Sequence, residues 1–313
     1  MQRICKLAID TAGKGGPNKG DSIMSVQPAV ESQVALDIQP LTGALGCEIF
    51  GVDLANLDDD TFAAVHQAFL DYSVVVFRDQ ELTQKQFASF GKRFGKLEDE
   101  PFIPHKAEEP GVFYFKGAGG DTLSAQYLGW HMDHTYQRNP SLGAMLYSIN
   151  VPAVGGDTAF ASSYLSYESL SPAMQAFLED KTAIHDVHHY GLESGHFTIA
   201  TVKSLNMLAK MREKYPQVEH PLICTHPETG RKMLYINQAW TVGIKQLNTF
   251  ESRPIIAALN KHALQEKFQC RVRWRNKSLL IWDNRCVQHS PIVDYAEERV
   301  MWRLAIHTDW EPS

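Results

Sequence analysis

Cysteine is scarce and unpatterned in this sequence: Cys5, Cys47, Cys224, Cys270 and Cys286 are odd in number and form no Cys-x-x-Cys pair. That argues against a disulfide framework, a cysteine-based zinc site and a dithiol redox centre. Reduced, mostly buried thiols of a cytoplasmic protein fit instead. No apolar run approaches the roughly 20 residues that cross a bilayer. Residues 1–33 are rich in Gly, Lys and Ser and lack the continuous apolar segment of a signal peptide. They are expected to be a disordered or extension arm, with Met24 an alternative start. Long blocks of like charge are also missing: 30 basic and 36 acidic residues are interspersed, for a net charge of -6. This argues against nucleic-acid and membrane partners and favours a small-molecule substrate. It leaves self-association into a homo-oligomer open.

What the chain does have is core. Its 313 residues are 44% apolar, enough for one large β domain or two smaller ones. Order is expected from about residue 34, with strands at Leu36–Leu41 and Cys47–Val52. The acidic run Asp58–Asp60 precedes Phe62, Val65, Phe69 and Leu70 at helical spacing, which marks an amphipathic helix with acids at its positive end. Ser73–Arg78 reads as a buried strand, and Thr83 as the cap of a helix reaching about Phe94 and ending at Gly95. Further strands are expected at 112–115, 144–150, 157–161, 221–225, 232–237, 270–274, 278–282 and 300–308. Many short strands with few intervening helices point to a sandwich or barrel. The interval of about 181–219, carrying His185, His188, His189 and His196, interrupts the pattern and is expected to be a lid; His185-Asp186-Val187-His188 is taken as lid or surface. No linker forces a second domain, so 34–313 is expected to be one.

The candidate site begins at Trp130-His131-Met132-Asp133. On an extended strand, residues i and i+2 share a face, so His131 and Asp133 can meet at a divalent metal. A surface His beside a solvated Asp is the bland alternative. His289, after the apolar run ending at Trp282, offers a third ligand. Two His and one carboxylate with open positions is the donor set of non-haem Fe(II) oxygenases, whereas structural zinc closes its sphere with four ligands. A zinc-dependent hydrolase drawing on the same residue types stays open here, as does a catalytically silent protein that only binds a small acid.

Trp130–Asp133, Pro152–Thr158 and the block from Trp282 to Arg303, together with 46–54, 77–80 and 93–95, resemble the taurine dioxygenase (TauD/TfdA) family of Fe(II)- and 2-oxoglutarate-dependent dioxygenases. The resemblance runs from about Leu36 to the C-terminus. It implies a double-stranded β-helix, or jelly roll, mainly β with peripheral helices. It implies His131, Asp133 and His289 as iron ligands, Arg299 and Thr158 as holders of 2-oxoglutarate, and Arg303 as a residue facing an anionic substrate. Arg303 as a structural ion-pair partner is the alternative. A guanidinium fork suits a carboxylate, and i and i+4 share a face of a strand. The implied chemistry uses O2 and oxidises a C–H bond, with succinate and CO2 released. Hydroxylation is the default outcome, and C–O or C–S cleavage follows where the new hydroxyl adjoins a heteroatom. Asp133 argues against a halogenase, while desaturation needs the same ligands. Glu100 stands at the taurine enzyme's sulfonate-binding histidine, Ile103 at its substrate-contacting tyrosine and Tyr127 at its asparagine, so taurine itself is disfavoured. His134 and Tyr136 are candidates to line the cavity, with a polar rim or a packed aromatic as the equal alternative, and Trp240 to wall it or to belong to the core.

Overall fold

Val74–Phe77 is apolar at every position because it lies in a sheet covered on both faces. Val74 and Val76 join one hydrophobic cluster and Val75 and Phe77 another, as the period of two requires. In the computed structural model the described residues are 34–99, 105–117, 129–187, 209–210 and 213–313.

The first half of the chain supplies β1 (Asp37–Pro40), β2 (Cys47–Phe50), α1 (Asp59–Tyr72), β3 (Val74–Phe77), α2 (Gln84–Lys92), β4 (Phe113–Gly117) and β5 (Gly143–Asn150). After these come β6 (Thr158–Ser162), the short helices α3 (Ser163–Glu168) and α4 (Pro172–Leu178), and β7 (Thr182–His185). The second half runs β8 (Val218–Pro221), β9 (Ile223–Thr225), β10 (Lys232–Leu234), β11 (Thr241–Ile244), α5 (Thr249–Ala263), β12 (Gln269–Val272), β13 (Leu279–Asp283), β14 (Val287–Pro291) and β15 (Arg299–Ile306).

Local chemistry sets the helix ends. Asp58 caps α1 by accepting from the Thr61 N–H, and Thr83 with Gln86 forms a capping box on α2. The helix from Thr83 stops at Lys92, short of the expected Gly95.

A seven-stranded sheet of order β1-β2-β3-β13-β5-β15-β4 faces a three-stranded sheet of order β12-β6-β14. Leu280, Trp282, Leu146 and Met301 of the large sheet pack with Phe160, Val272 and Val287 of the small one. The opposite face of the large sheet buries Ile281, Met145 and Leu304 against Val65 and Phe69 of α1 and Phe87 and Phe90 of α2. Each such side chain contributes about 1.5–3 kcal/mol by leaving water, so a polar residue on either face of β3 or β13 would be costly. This is the jelly roll with peripheral helices that the sequence led us to expect, and 32–313 forms one compact unit.

The sequence misplaced some elements. The long helix α5, capped by Asn248 and Glu251, and strands β7, β11 and β14 were absent from the expected set. The interval expected to be a lid has its two ends in β7 and β8, which pair antiparallel; 188–208 and 211–212 lie outside the described residues. His185 and Asp186 are buried rather than on a lid or surface, because β7 lies in the sheet β11-β7-β8.

Candidate active site

The strand expected to carry His131 and Asp133 is not there. His131 pairs with His289 in an isolated antiparallel bridge, its N–H donating to the His289 carbonyl at 3.0 Å and its carbonyl accepting from the His289 N–H at 2.8 Å. The chain then turns, with His134 at φ 59°. The two imidazoles face each other across the bridge, ring centroids 4.1 Å apart. The turn delivers the Asp133 carboxylate to the same point.

The three donor atoms lie within 4.8 Å of one another. Asp133 Oδ1 is 3.5 Å from His131 Nε2, and Oδ2 is 3.8 Å from His289 Nε2. Metal–ligand bonds of about 2.0–2.2 Å allow donors on one ion to be up to roughly 4.4 Å apart, so both gaps fit a shared ion. The protonation pattern fits as well. His131 Nδ1 lies 3.0 Å from the Gly129 carbonyl, which can only accept, so Nδ1 carries the proton and Nε2 offers its lone pair. Burial first, then the neighbouring His131, hold His289 well below its ordinary pKa; Asp133 opposes this and Arg303 adds a smaller push in the same direction as burial. It is therefore neutral, the ligating form. Burial pushes the Asp133 carboxyl up, but Arg303, His289 and His131 outweigh it and keep it ionised.

Around this point β15 points Arg299, Met301 and Arg303 inward and Trp302 outward. Arg303 donates to Asp133 Oδ2 at 2.8 Å and lies 5.7 Å from the Trp282 ring centre. The structure gives this arginine an ion pair with Asp133, the role that the sequence left as the alternative to facing the substrate.

Arg299 is 3% exposed, yet its Nε and Nη2 have no hydrogen-bond partner among the described residues. Burial lowers its pKa from the ordinary arginine value, against smaller opposing contributions from Tyr295 and Asp157. Unsatisfied donors on a buried cation are costly and mark a place for an anion. Thr158 lies close by: the Trp274 indole donates to Thr158 Oγ1 at 3.0 Å and Arg299 stacks over the same ring at 5.6 Å. With its oxygen accepting from Trp274, the Thr158 hydroxyl has its proton to give. A guanidinium with two open donors beside a hydroxyl donor suits the distal carboxylate of a dicarboxylic acid.

The remaining sequence candidates divide. His134 turns to Glu98 and Ser141, with Nδ1 at 2.9 Å and 2.6 Å. Tyr136 and Trp240 pack edge-to-face at 4.9 Å in a buried cluster with Val187, and the Trp240 indole donates to the Met132 carbonyl at 3.1 Å. Glu100, Ile103 and Tyr127 lie outside the described residues.

Two features escaped the sequence. Asn284 donates to the Asp133 carbonyl at 2.6 Å and accepts from the Asp133 N–H at 2.7 Å. Next to it Asp283, Arg285 and His226 form a buried ionic cluster. The signal was present as Asp283-Asn284-Arg285, three polar residues directly after a wholly apolar strand.

Comparison with known proteins agrees with this geometry. The family model described as taurine catabolism dioxygenase TauD, TfdA family matches residues 37–305. An (S)-phenoxypropionate/alpha-ketoglutarate-dioxygenase of Sphingobium herbicidovorans is 33% identical over 278 residues, covering 88% of this chain and 96% of that protein. An alkylsulfatase of Acinetobacter baylyi is 30% identical over 279 residues, covering 87% and 84%. The crystal structure of AAD-2 in complex with Mn(II) and N-oxalylglycine superposes with a TM-score of 0.74 at 25% identity, covering 89% of this chain and all (100%) of that one.

Proposed function

This chain belongs to the taurine catabolism dioxygenase TauD, TfdA family, and we propose that it is an Fe(II)- and 2-oxoglutarate-dependent dioxygenase that oxidises a C–H bond of a small anionic organic substrate. His131, Asp133 and His289 would hold the iron, and Arg299 with Thr158 would hold the far carboxylate of 2-oxoglutarate. The observation that carries the reading is Arg299: a buried guanidinium with two partnerless nitrogens, on the strand whose other inward arginine binds Asp133.

When bound, Fe(II) supplies the activation of O2 and the oxidation of the substrate, coupled to decarboxylation of 2-oxoglutarate to succinate and CO2. The protein's own part is placement. Three ligands, gathered by one backbone bridge and one turn, leave positions for small molecules. Arg299 sets the orientation of the co-substrate from its far end. Arg303, paired with Asp133, adds a positive charge beside the ligands, which favours a second anion nearby. Buried Trp282 and Phe160 pack on His289 at 4.7 Å and 6.2 Å, keeping water off the reacting centre.

An anionic substrate accords with relatives named for a phenoxypropionate and an alkylsulfate activity. A hydroxyl placed on a carbon bonded to oxygen or sulfur yields a product that fragments, so hydroxylation and cleavage are one chemistry here. Which acid is taken rests, in this reading, on Glu100, Ile103, Tyr127, His134 and Arg303. The buried free thiols among the described residues suit a cytoplasmic setting. No helix among the described residues is long and apolar enough to cross a membrane.

The test is an anaerobic mixture of the protein, Fe(II) and 2-oxoglutarate. A weak visible charge-transfer band is expected, lost in Asp133→Ala, together with substrate-stimulated succinate release in air. No band, accompanied by zinc-dependent hydrolysis, would overturn the reading. A panel of aryloxy acids, alkyl sulfates and sulfonates, scored by succinate release, then identifies the substrate class.

A further inference from the structure

A metal-binding carboxylate must be held by its backbone as well as by its charge. Asp133 sits where the backbone has no regular partner: the bridge to β14 ends at His131, and His134 is already left-handed. Its N–H and C=O are buried and need hydrogen bonds. Both come from one side chain. Asn284 accepts from the Asp133 N–H at 2.7 Å and donates to its carbonyl at 2.6 Å, while no part of Asn284 reaches solvent (0% exposed).

The chemistry selects asparagine here. A primary amide presents one acceptor and one donor side by side, as the edge of a β-strand does, so it completes a ladder that the turn cannot. A serine reaches with one group, and an aspartate in its charged form cannot donate. The asparagine is itself immobilised: its backbone N–H donates to the Leu142 carbonyl at 3.0 Å, and the preceding Asp283 N–H donates to the Ser73 carbonyl at 2.8 Å. Arg285 on the other side binds Asp283 through Nε at 2.8 Å and Nη2 at 2.7 Å. This turn leads directly into β14, which carries His289. One rigid unit therefore holds two of the three donors, His289 covalently and Asp133 through the amide.

We propose that Asn284 is a positioning residue for the metal site, a clamp on the Asp133 peptide that sets the spacing of the three donors and hence the affinity for a divalent ion. The proposal rests on the assignment of His131, Asp133 and His289 as metal ligands. A purely structural asparagine would stabilise the fold without moving metal affinity. Outer partners of metal ligands commonly cost about 10–100-fold in affinity when removed, and a loss of that size is expected here.

Anaerobic Co(II) titration followed by visible absorption measures this without turnover. The parent, Asn284→Leu, which keeps the volume and loses both hydrogen bonds, and Asn284→Ser, which keeps one group, are compared with Ser148→Ala. Ser148 is buried and donates to the Arg275 carbonyl, so its removal destabilises the fold away from the metal. Both Asn284 variants are expected to bind Co(II) about 10–100-fold more weakly, with Ser148→Ala within about twofold of the parent despite a lower Tm. The serine variant gives the answer if the leucine variant does not fold. Affinities within about twofold of the parent for the Asn284 variants, or an equal loss in Ser148→Ala, would overturn the clamp alone. A parent that takes up no Co(II) would overturn the ligand assignment, and the clamp with it.

Discussion

Two buried clusters of residue types that can bind metal lie on either side of Asn284. His131, Asp133 and His289 form one; His226, Asp283 and Cys286 form the other. In the second, every strong group is closed. Nδ1 of His226 accepts from the Glu228 and Thr229 N–H groups at 3.3 Å and 3.1 Å, so Nε2 carries the proton and donates to Asp283 at 3.0 Å. Arg285 grips the same carboxylate with two nitrogens and reaches Glu228 at 2.6 Å with a third. Burial pushes the Cys286 thiol far up and keeps it protonated. In the first cluster three donor groups converge on one point, and the Arg303 guanidinium gives the Asp133 carboxylate a single hydrogen bond, to Oδ2. Composition and burial do not separate a structural cluster from a metal site. Closure by donors does.

If closure is the distinction, opening the second cluster damages the fold first and reaches the metal site only through Asn284. Arg285→Met leaves Asp283 buried against an incomplete set of donors. Breaking such a pair costs about 3–5 kcal/mol, readable in a urea melt, while the folded fraction still binds metal.

The same pair gives an acid dependence. Burial pushes the Asp283 carboxyl up, but Arg285 and His226 outweigh it and hold it far below the usual range. A carboxyl depressed in the folded state contributes stability above its unfolded pKa, about 3.9, and loses it as pH falls through the folded value. The parent is therefore expected to lose stability progressively below about pH 4, with a shallower slope in Asp283→Asn. Asp133 acts in the same direction, so the slope is reduced and not abolished. An unchanged slope would place the acid sensitivity elsewhere.

At the open site, changes are expected in ligand affinity more than in stability. Arg299→Met removes charge-assisted bonds of about 1.5–3 kcal/mol, raising the KM for 2-oxoglutarate by one to two orders of magnitude. Its Tm is expected to hold or rise, because a buried cation with two unsatisfied donors is gone. Thr158→Val is the mildest, at about 1 kcal/mol for one neutral hydrogen bond, a several-fold rise in the same KM. Equal effects of both variants on KM and Tm would erase the distinction between a ligand-binding pair and a structural one.

Much of this was legible before the fold was known. The unbroken apolar run Val74–Phe77 and the capping signals at Asp58 and Thr83 reported local physics. His131, Asp133, His289, Thr158 and Arg299 were recognisable because family motifs in the right order constrain each other. What stayed hidden was relational. Nothing in His131-Met132-Asp133 shows that the segment turns instead of running as a strand, because the turn is held by Asn284 and Trp240, more than 100 positions away. Arg303 could be placed on the inner face by its spacing from Arg299, but its ion pair with Asp133 depends on that same turn. His185 carried a surface-like polar context and is buried because β7 pairs on both sides, with β11 and β8.

Metal stoichiometry under anaerobic conditions decides between the two clusters. One Fe(II) per chain is predicted for the parent and for Cys286→Ser, and none for Asp133→Ala. Iron that survives Asp133→Ala, or a second equivalent lost with Cys286→Ser, would contradict the account.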